Sequence, residues 1–295
     1  MLSSRKGFAM SDQINDAERI NREQLEFWNS AAPGWRQMWA MLERAAQHVS
    51  DRLVELTQIS AGSRVLDIAS GSGEPAVTAA RKVGTGGLVV ATDQSPAMLE
   101  LARERAAALG IRNIKFVVTG AQELAVEERD FDAALCRWGL MFVGDLEAAM
   151  RRVAQLLAPG GRFATAVWGP PHKVPMISLG DEQVRELAKL PPPLPDAPGP
   201  LRLADTKPLL RALSTAGFKD ISVAPLNVRF EFESPQAFAE QRRAVSTPLR
   251  MMLSKQTPEL QQRIMDALVQ QARRFADASG RVRMDNEALL VAAHR

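Results

Sequence analysis

The sequence predicts an open α/β fold whose sheet is mostly parallel, and three observations carry that expectation. Five short apolar runs, at 65–69, 88–92, 114–118, 131–137 and 162–168, alternate with stretches of helical periodicity. The first run carries an acid, Asp67, and leads into a tight turn, Gly71-Ser72-Gly73. Two further strand-like runs, 221–232 and 287–294, bring the sheet to seven strands, with a helical segment between them.

Before the first strand, residues 1–13 are expected to be disordered, and 14–60 form a helical arm. Ile20, Leu25 and Trp28, then Trp35, Met38, Trp39 and Leu42, recur at helical spacing, interrupted by Ala31-Ala32-Pro33-Gly34. The arm reads as a helical layer on the domain, with Trp28 and Trp35 as parts of a lid flanking the interruption. The domain proper is 61–233 together with 281–295. Within it, helix 74–83 follows the first strand, with Pro75 in its first turn. Ser95-Pro96 caps and opens the next helix, and Gly110 closes it. A helix from Asp145 carries Leu146, Met150, Val153 and Leu157 on one face and stops at Pro159-Gly160-Gly161. Prolines between 191 and 200 mark a stiff surface loop near a helix at 181–190, and a further helix is expected at 206–216. Residues 234–280, with Phe238, Leu249, Leu260, Ile264 and Leu268, read as an inserted helical cap over the reaction site.

A strand, a glycine turn and a helix N-terminus hold a nucleotide-like ligand: glycines let it approach the backbone, and free helix N–H groups face it. Asp67 narrows the choice. A carboxylate beside the turn repels a pyrophosphate and suits a ligand carrying an ammonium or sulfonium group. Asp93 closes the second strand twenty residues after Gly73, where an acid accepts hydrogen bonds from ribose hydroxyls.

Four segments carry a resemblance to a family. Residues 65–73, Val-Leu-Asp-Ile-Ala-Ser-Gly-Ser-Gly, resemble the first motif of class I S-adenosylmethionine-dependent methyltransferases, and Ala91-Thr92-Asp93-Gln94-Ser95-Pro96 resembles their second. Gly120-Ala121-Gln122-Glu123-Leu124 and 156–163 are similar to the adenine segment and to the turn into strand five. The small-molecule group containing the ubiquinone and menaquinone C-methyltransferases is the nearest in character. The resemblance implies a Rossmann-like sheet with helices on both faces and S-adenosylmethionine as cofactor, leaving S-adenosylhomocysteine as product. It implies that Asp67, Ala69, Gly71 and Gly73 hold the methionyl end and that Asp93 and Gln94 meet the ribose. Met98, Ala121 and Gln122 would border the adenine. Read from its own place at the end of the fourth strand, Arg137 is a further cofactor-side residue that either anchors an anionic acceptor or pairs with a carboxylate near the cofactor. Two departures stand out: Ala69 replaces the usual first glycine, and Gly120 falls where an acid often meets the adenine amine.

Methyl transfer needs little from the protein beyond alignment and exclusion of water. Trp28, Trp35, Trp138, Met141 and Phe142 are expected to line the acceptor site, which suits an apolar or aromatic small molecule. His172 is the histidine placed to act as a base if a proton must leave, since the chain has no tyrosine. The alternative is an S-adenosylmethionine-binding protein that transfers no methyl group.

Composition sets the outer bounds. Hydrophobic residues make up 46% and charged residues 24% of the chain, with a formal net charge of +3, so no basic surface argues for nucleic acid. One cysteine, Cys136, and three scattered histidines offer no metal spacing, and no acidic cluster suggests magnesium. No apolar run spans a membrane, and a cytoplasmic setting is expected. The acceptor atom and the oligomeric state are not legible in the residues.

Overall fold

Residues 65 to 68 are all buried, the signature of a strand covered on both faces, and they place β1 (Arg64–Ile68) inside the sheet. It pairs in parallel with β2 (Leu88–Asp93) on one side and β4 (Phe131–Arg137) on the other. β3 (Ile114–Val118) and β5 (Leu157–Trp168) extend the parallel set, and β6 (Lys219–Phe232) and β7 (Val282–His294) complete the order β3-β2-β1-β4-β5-β7-β6. Among the described strands β7 alone runs opposite to the rest, pairing antiparallel with both β5 and β6. The expected seven-stranded, mostly parallel sheet is therefore what forms. The chain leaves β1 toward β2 and reaches β4 on the opposite side, which opens a crevice at the carboxyl ends of β1 and β4.

The structure, a computed structural model, describes residues 8–192 and 197–295, with backbone alone for 8–21, 245, 247, 248 and 251. Residues 1–7 of the expected disordered start, and 193–196 of the proline loop, lie outside the described residues.

α2 (Ala76–Val83), α3 (Pro96–Ala108), α4 (Leu146–Leu156), α5 (Pro175–Leu187) and α6 (Lys207–Thr215) cover the sheet. Ser95 and Asp145 cap α3 and α4 through their side chains, accepting from Met98 N–H and Ala148 N–H.

The arm differs from its sequence reading. α1 (Phe8–Thr57) is one helix that begins inside the segment expected to be disordered and runs unbroken through Pro33. Proline costs an isolated helix about 3 kcal/mol, and here tertiary contacts offset that cost. Ala32 packs with Met98 and Leu101 of α3, flanked by Trp28 and Trp35. Asn29 Oδ1 accepts from Ser95 Oγ at 2.7 Å, and Arg36 pairs with Glu104 at 2.7 Å.

Three boundaries also move. β5 begins at Leu157, which pairs with Phe131 across a bulge, and β7 begins at Val282, where it pairs with Phe232. α5 starts at Pro175, six residues before the expected helix. The insertion holds α7 (Pro235–Val245), α8 (Thr247–Ser254) and α9 (Pro258–Ala272), and these share a separate small core with α5 around Val184, Leu249, Ile264 and Leu268.

Candidate functional site

The crevice is shaped first by backbone conformation. Ala69 and Gly71 after β1 take φ of 54° and 53°, and the Gly73 N–H closes the turn onto the Ser70 carbonyl at 2.8 Å. That turn aims the Gly71 N–H at Asp93 Oδ2, 2.9 Å away, while Asp93 Oδ1 accepts from the Ser95 N–H at 2.8 Å. The carboxylate at the end of β2 is thus clamped between the first loop and the start of α3, and each oxygen keeps a lone pair for a ligand. Burial pushes the Asp93 carboxyl up to about 6, against the opposing pull of the Ser95, Gly71 and Gln94 N–H groups.

On the other side of the crevice, Trp138 follows β4 with φ of 60°, and its ring stacks on Trp168 at 4.3 Å between centroids and 12° between planes. Gly139 comes next. A Cβ there would lie 2.5 Å from Ala69 Cβ and 2.9 Å from Cys136 Sγ, so the loops after β1 and β4 touch through a residue that must lack a side chain. Phe142 packs edge-on against Trp28 of α1 at 5.0 Å.

These segments enclose a cavity of about 470 Å³. Twelve of the residues singled out in the sequence share its walls: Ala69, Gly71, Asp93, Gln94, Met98, Ala121, Gln122, Arg137, Trp28, Trp35, Trp138 and Phe142. Four do not. Asp67 is wholly buried one layer beneath, where Oδ2 accepts from the Ala76 N–H at 2.9 Å and so caps α2, while Oδ1 has no protein partner. Burial raises its pKa well above the usual carboxylate range, with the Ala76 bond opposing. Gly73 packs on Ala102 of α3, and the side chain of Met141 is buried in the core. His172 lies on an exposed turn that is held away from the cavity. Lys173 pairs with Glu287 of β7 at 2.9 Å, and the Gly169 N–H donates to the Glu287 carbonyl at 2.8 Å. The histidine is therefore not placed to serve as a base in the cavity.

The expected cap is also displaced. None of the described residues of α7, α8 or α9 lines the cavity; the insertion reaches α1 instead, for instance through Arg250 Nη2 and the Ser30 carbonyl at 3.3 Å.

Two acids stand among the wall residues that were not expected as ligand contacts. Glu74 is almost fully buried at the head of α2, where Arg105 holds Oε1 at 3.0 Å and Thr78 Oγ1 donates to Oε2 at 2.6 Å. Arg105 also pairs with Glu43 of α1 at 2.9 Å and lies 4.6 Å from the Trp39 ring centroid. One guanidinium thereby ties α1 and the head of α2 to α3. Only the spacing of Glu74 and Thr78, one helical turn apart, hinted at this locally. Glu123 is the second, and its sequence signal was the glycine three residues before it. A Cβ on Gly120 would fall 2.3 Å from Glu123 Oε2, so the glutamate folds back into the space that the glycine leaves.

Among the described residues, no cluster of His, Cys, Asp and Glu could hold a metal ion, and no helix is long and apolar enough to cross a membrane.

Known proteins share these features. A methyltransferase-domain family model matches residues 65–161, the span from β1 to β5. Aklanonic acid methyltransferase DauC of Streptomyces sp. (strain C5) is 36% identical over 135 residues, covering 43% of this chain and 61% of that protein. The ubiquinone/menaquinone biosynthesis C-methyltransferase UbiE of Pseudomonas fluorescens (strain SBW25) is 31% identical over 177 residues, 59% of this chain and 68% of the relative. The chain thus spans between three fifths and about two thirds of the length of these relatives. Among solved structures, YcgJ of Bacillus subtilis has the same fold, with a TM-score of 0.52 at 19% identity over 84% of this chain and 98% of that one. With the β1 and β2 acids, the glycine turn and the sheet order all in place, the chain belongs to the class I S-adenosylmethionine-dependent methyltransferases.

Proposed function

We propose that the protein transfers the methyl group of S-adenosylmethionine to a small acceptor with an apolar or aromatic body, by alignment and exclusion of water. The observation that carries this reading is one cavity holding both a clamped acid, Asp93, and an aromatic wall of Trp28, Trp35, Trp138 and Phe142. The names of DauC and UbiE, which concern small molecules, support a small-molecule acceptor.

The wall fits the cofactor. Asp93 has acceptor capacity left for a diol, and the Ser70 hydroxyl is a buried group with no protein partner on the loop that would take the methionyl end. Met98 and Ala121 offer apolar surface to a purine, and Gln122 Oε1, which accepts from the Asp145 N–H at 2.9 Å, has a second lone pair. When bound, the cofactor supplies an electrophilic methyl group and a neutral thioether leaving group. The chain's part is to hold the acceptor in line with that methyl between the aromatic rings and α1, and to keep water away. Incubation with methyl-labelled cofactor and a panel of hydroxyaromatic and enolic acceptors tests the reading. Label should move to at least one of them. Binding of the cofactor without transfer to any acceptor would favour the non-transferring alternative.

Glu123 stands in for the acid missing at position 120. Glu123→Gln should weaken S-adenosylhomocysteine binding about tenfold while leaving S-inosylhomocysteine, which lacks the amine, within about twofold. Equal losses for both ligands in competition calorimetry would contradict this role.

Asp93 also predicts a pH dependence. The ligand-free carboxyl titrates near 6, and accepting from a diol favours its charged form. Below that pH, binding must first release a proton. Affinity should therefore be flat above about 6 and fall by up to about tenfold per pH unit below it. Asp93→Asn should bind weakly and without that slope, as titrations from pH 5 to 8 would show.

A further inference from the structure

Among the described residues, Arg137, which closes β4, is the cation of the cavity wall that the domain core holds in place; Arg22, the other arginine described there, projects from α1 and is exposed. Its guanidinium is anchored from one side. Nη1 donates to Ser50 Oγ at 2.8 Å and to the Ala46 carbonyl at 3.3 Å, both on α1, and the group lies 5.3 Å from the centroid of the Trp138 ring. Nε and Nη2 have no protein acceptor among the described residues, and no carboxylate there lies within ion-pair distance of the group.

The charges around it are accounted for. Glu74 is committed to Arg105 and Thr78, Glu43 to Arg105, and Asp67 to the Ala76 N–H. These acids act on Arg137 at a distance and Arg105 opposes them. Burial lowers the pKa of the guanidinium from its ordinary value, with Glu74 pulling it back most strongly. A fork with free donors, fixed against an aromatic ring at the edge of a ligand cavity, matches the geometry of an oxyanion.

We propose that Arg137 is the anion-binding residue of this cavity and receives one oxyanion of the bound ligands. Two sources share that chemistry: the carboxylate of the cofactor, and an ionised hydroxyl or enolate on the acceptor. The inference rests on the cavity being a chamber for cofactor and acceptor.

The test uses the full chain and its Arg137→Gln, Arg137→Lys and Ser50→Ala variants, each checked for an unchanged circular dichroism spectrum. Three probes are titrated by calorimetry: S-adenosylhomocysteine; 5′-methylthioadenosine, which lacks the carboxylate; and 4-nitrophenolate at alkaline pH with the protein saturated in S-adenosylhomocysteine. Arg137→Gln should lose about 10- to 100-fold in affinity for one of the two anions. Arg137→Lys should recover part of that loss, and 5′-methylthioadenosine should stay within about twofold. Loss confined to S-adenosylhomocysteine assigns the anion to the cofactor; loss confined to 4-nitrophenolate assigns it to the acceptor. If neither anion moves beyond about twofold, or if 5′-methylthioadenosine loses as much as S-adenosylhomocysteine, Arg137 only braces α1 and the inference is overturned. Failure of the wild-type protein to bind S-adenosylhomocysteine would instead sink the reading on which it rests.

Discussion

Arg105→Ala should lower the unfolding free energy by about 3–5 kcal/mol, the usual cost of leaving one member of a buried ion pair without its partner. The side chains of Arg105 and Glu74 are 3% and 1% exposed, so water cannot replace the lost guanidinium. Glu74 would keep only the Thr78 hydroxyl, and α1 would lose both the Glu43 pairing and the contact of the guanidinium with Trp39. A second variant separates the charge from the packing. Arg105→Met with Glu74→Gln removes both charges and keeps the volume, and should recover at least half of the loss. Urea unfolding followed by tryptophan fluorescence reads both, and a shift below about 1 kcal/mol for Arg105→Ala would contradict the role assigned to this cluster.

Asp93→Ala should reduce affinity for S-adenosylhomocysteine at least about 100-fold, because two charge-assisted hydrogen bonds to a diol disappear together. The same substitution takes the acceptor from the Gly71 and Ser95 N–H groups, so the glycine turn loses its clamp as well. The fold should survive, since a buried carboxyl whose pKa is raised by burial is removed along with its cost. Calorimetry and a thermal melt on the same sample test the contrast. An affinity within about fivefold of wild type would show that this acid does not hold the ligand.

Much of the fold was legible because it rests on local pattern. Wholly buried strands such as 65–68 read as apolar runs, and Ser95-Pro96 announces α3 by the chemistry of its cap. The half of the cavity around the glycine turn was legible for the same reason: Ala69, Gly71 and Asp93 lie at the ends of β1 and β2, where the topology of the sheet brings them together. What the residues concealed depends on distant partners. Pro33 reads as a break until Ala32 and Asn29 find α3. Met141 and Phe142 are neighbours of similar character, and a single turn, Leu140–Phe142, buries one and gives the other to the cavity. His172 was a plausible base by position, but Lys173 pairs with Glu287, 114 residues away, and fixes the loop elsewhere. Arg105 meets Glu74 across 31 residues, and nothing in either local stretch points to the other.

The opening motif also changes meaning with depth. The sequence places Asp67 at the surface of the cavity. It lies beneath it, supporting the head of α2 through Ala76 while Asp93 faces the cavity. Ala69 is accommodated in a left-handed conformation because Gly139 yields the space for its methyl group.

The central claim is that this cavity binds the S-adenosyl cofactor, and isothermal titration of the full chain with S-adenosylhomocysteine tests it most directly. One site per chain should be found, with a Kd of about 1–100 μM, and ligand at a hundred times that Kd should stabilise the fold by about 2.7 kcal/mol. Absence of both heat and thermal stabilisation at millimolar ligand would contradict it.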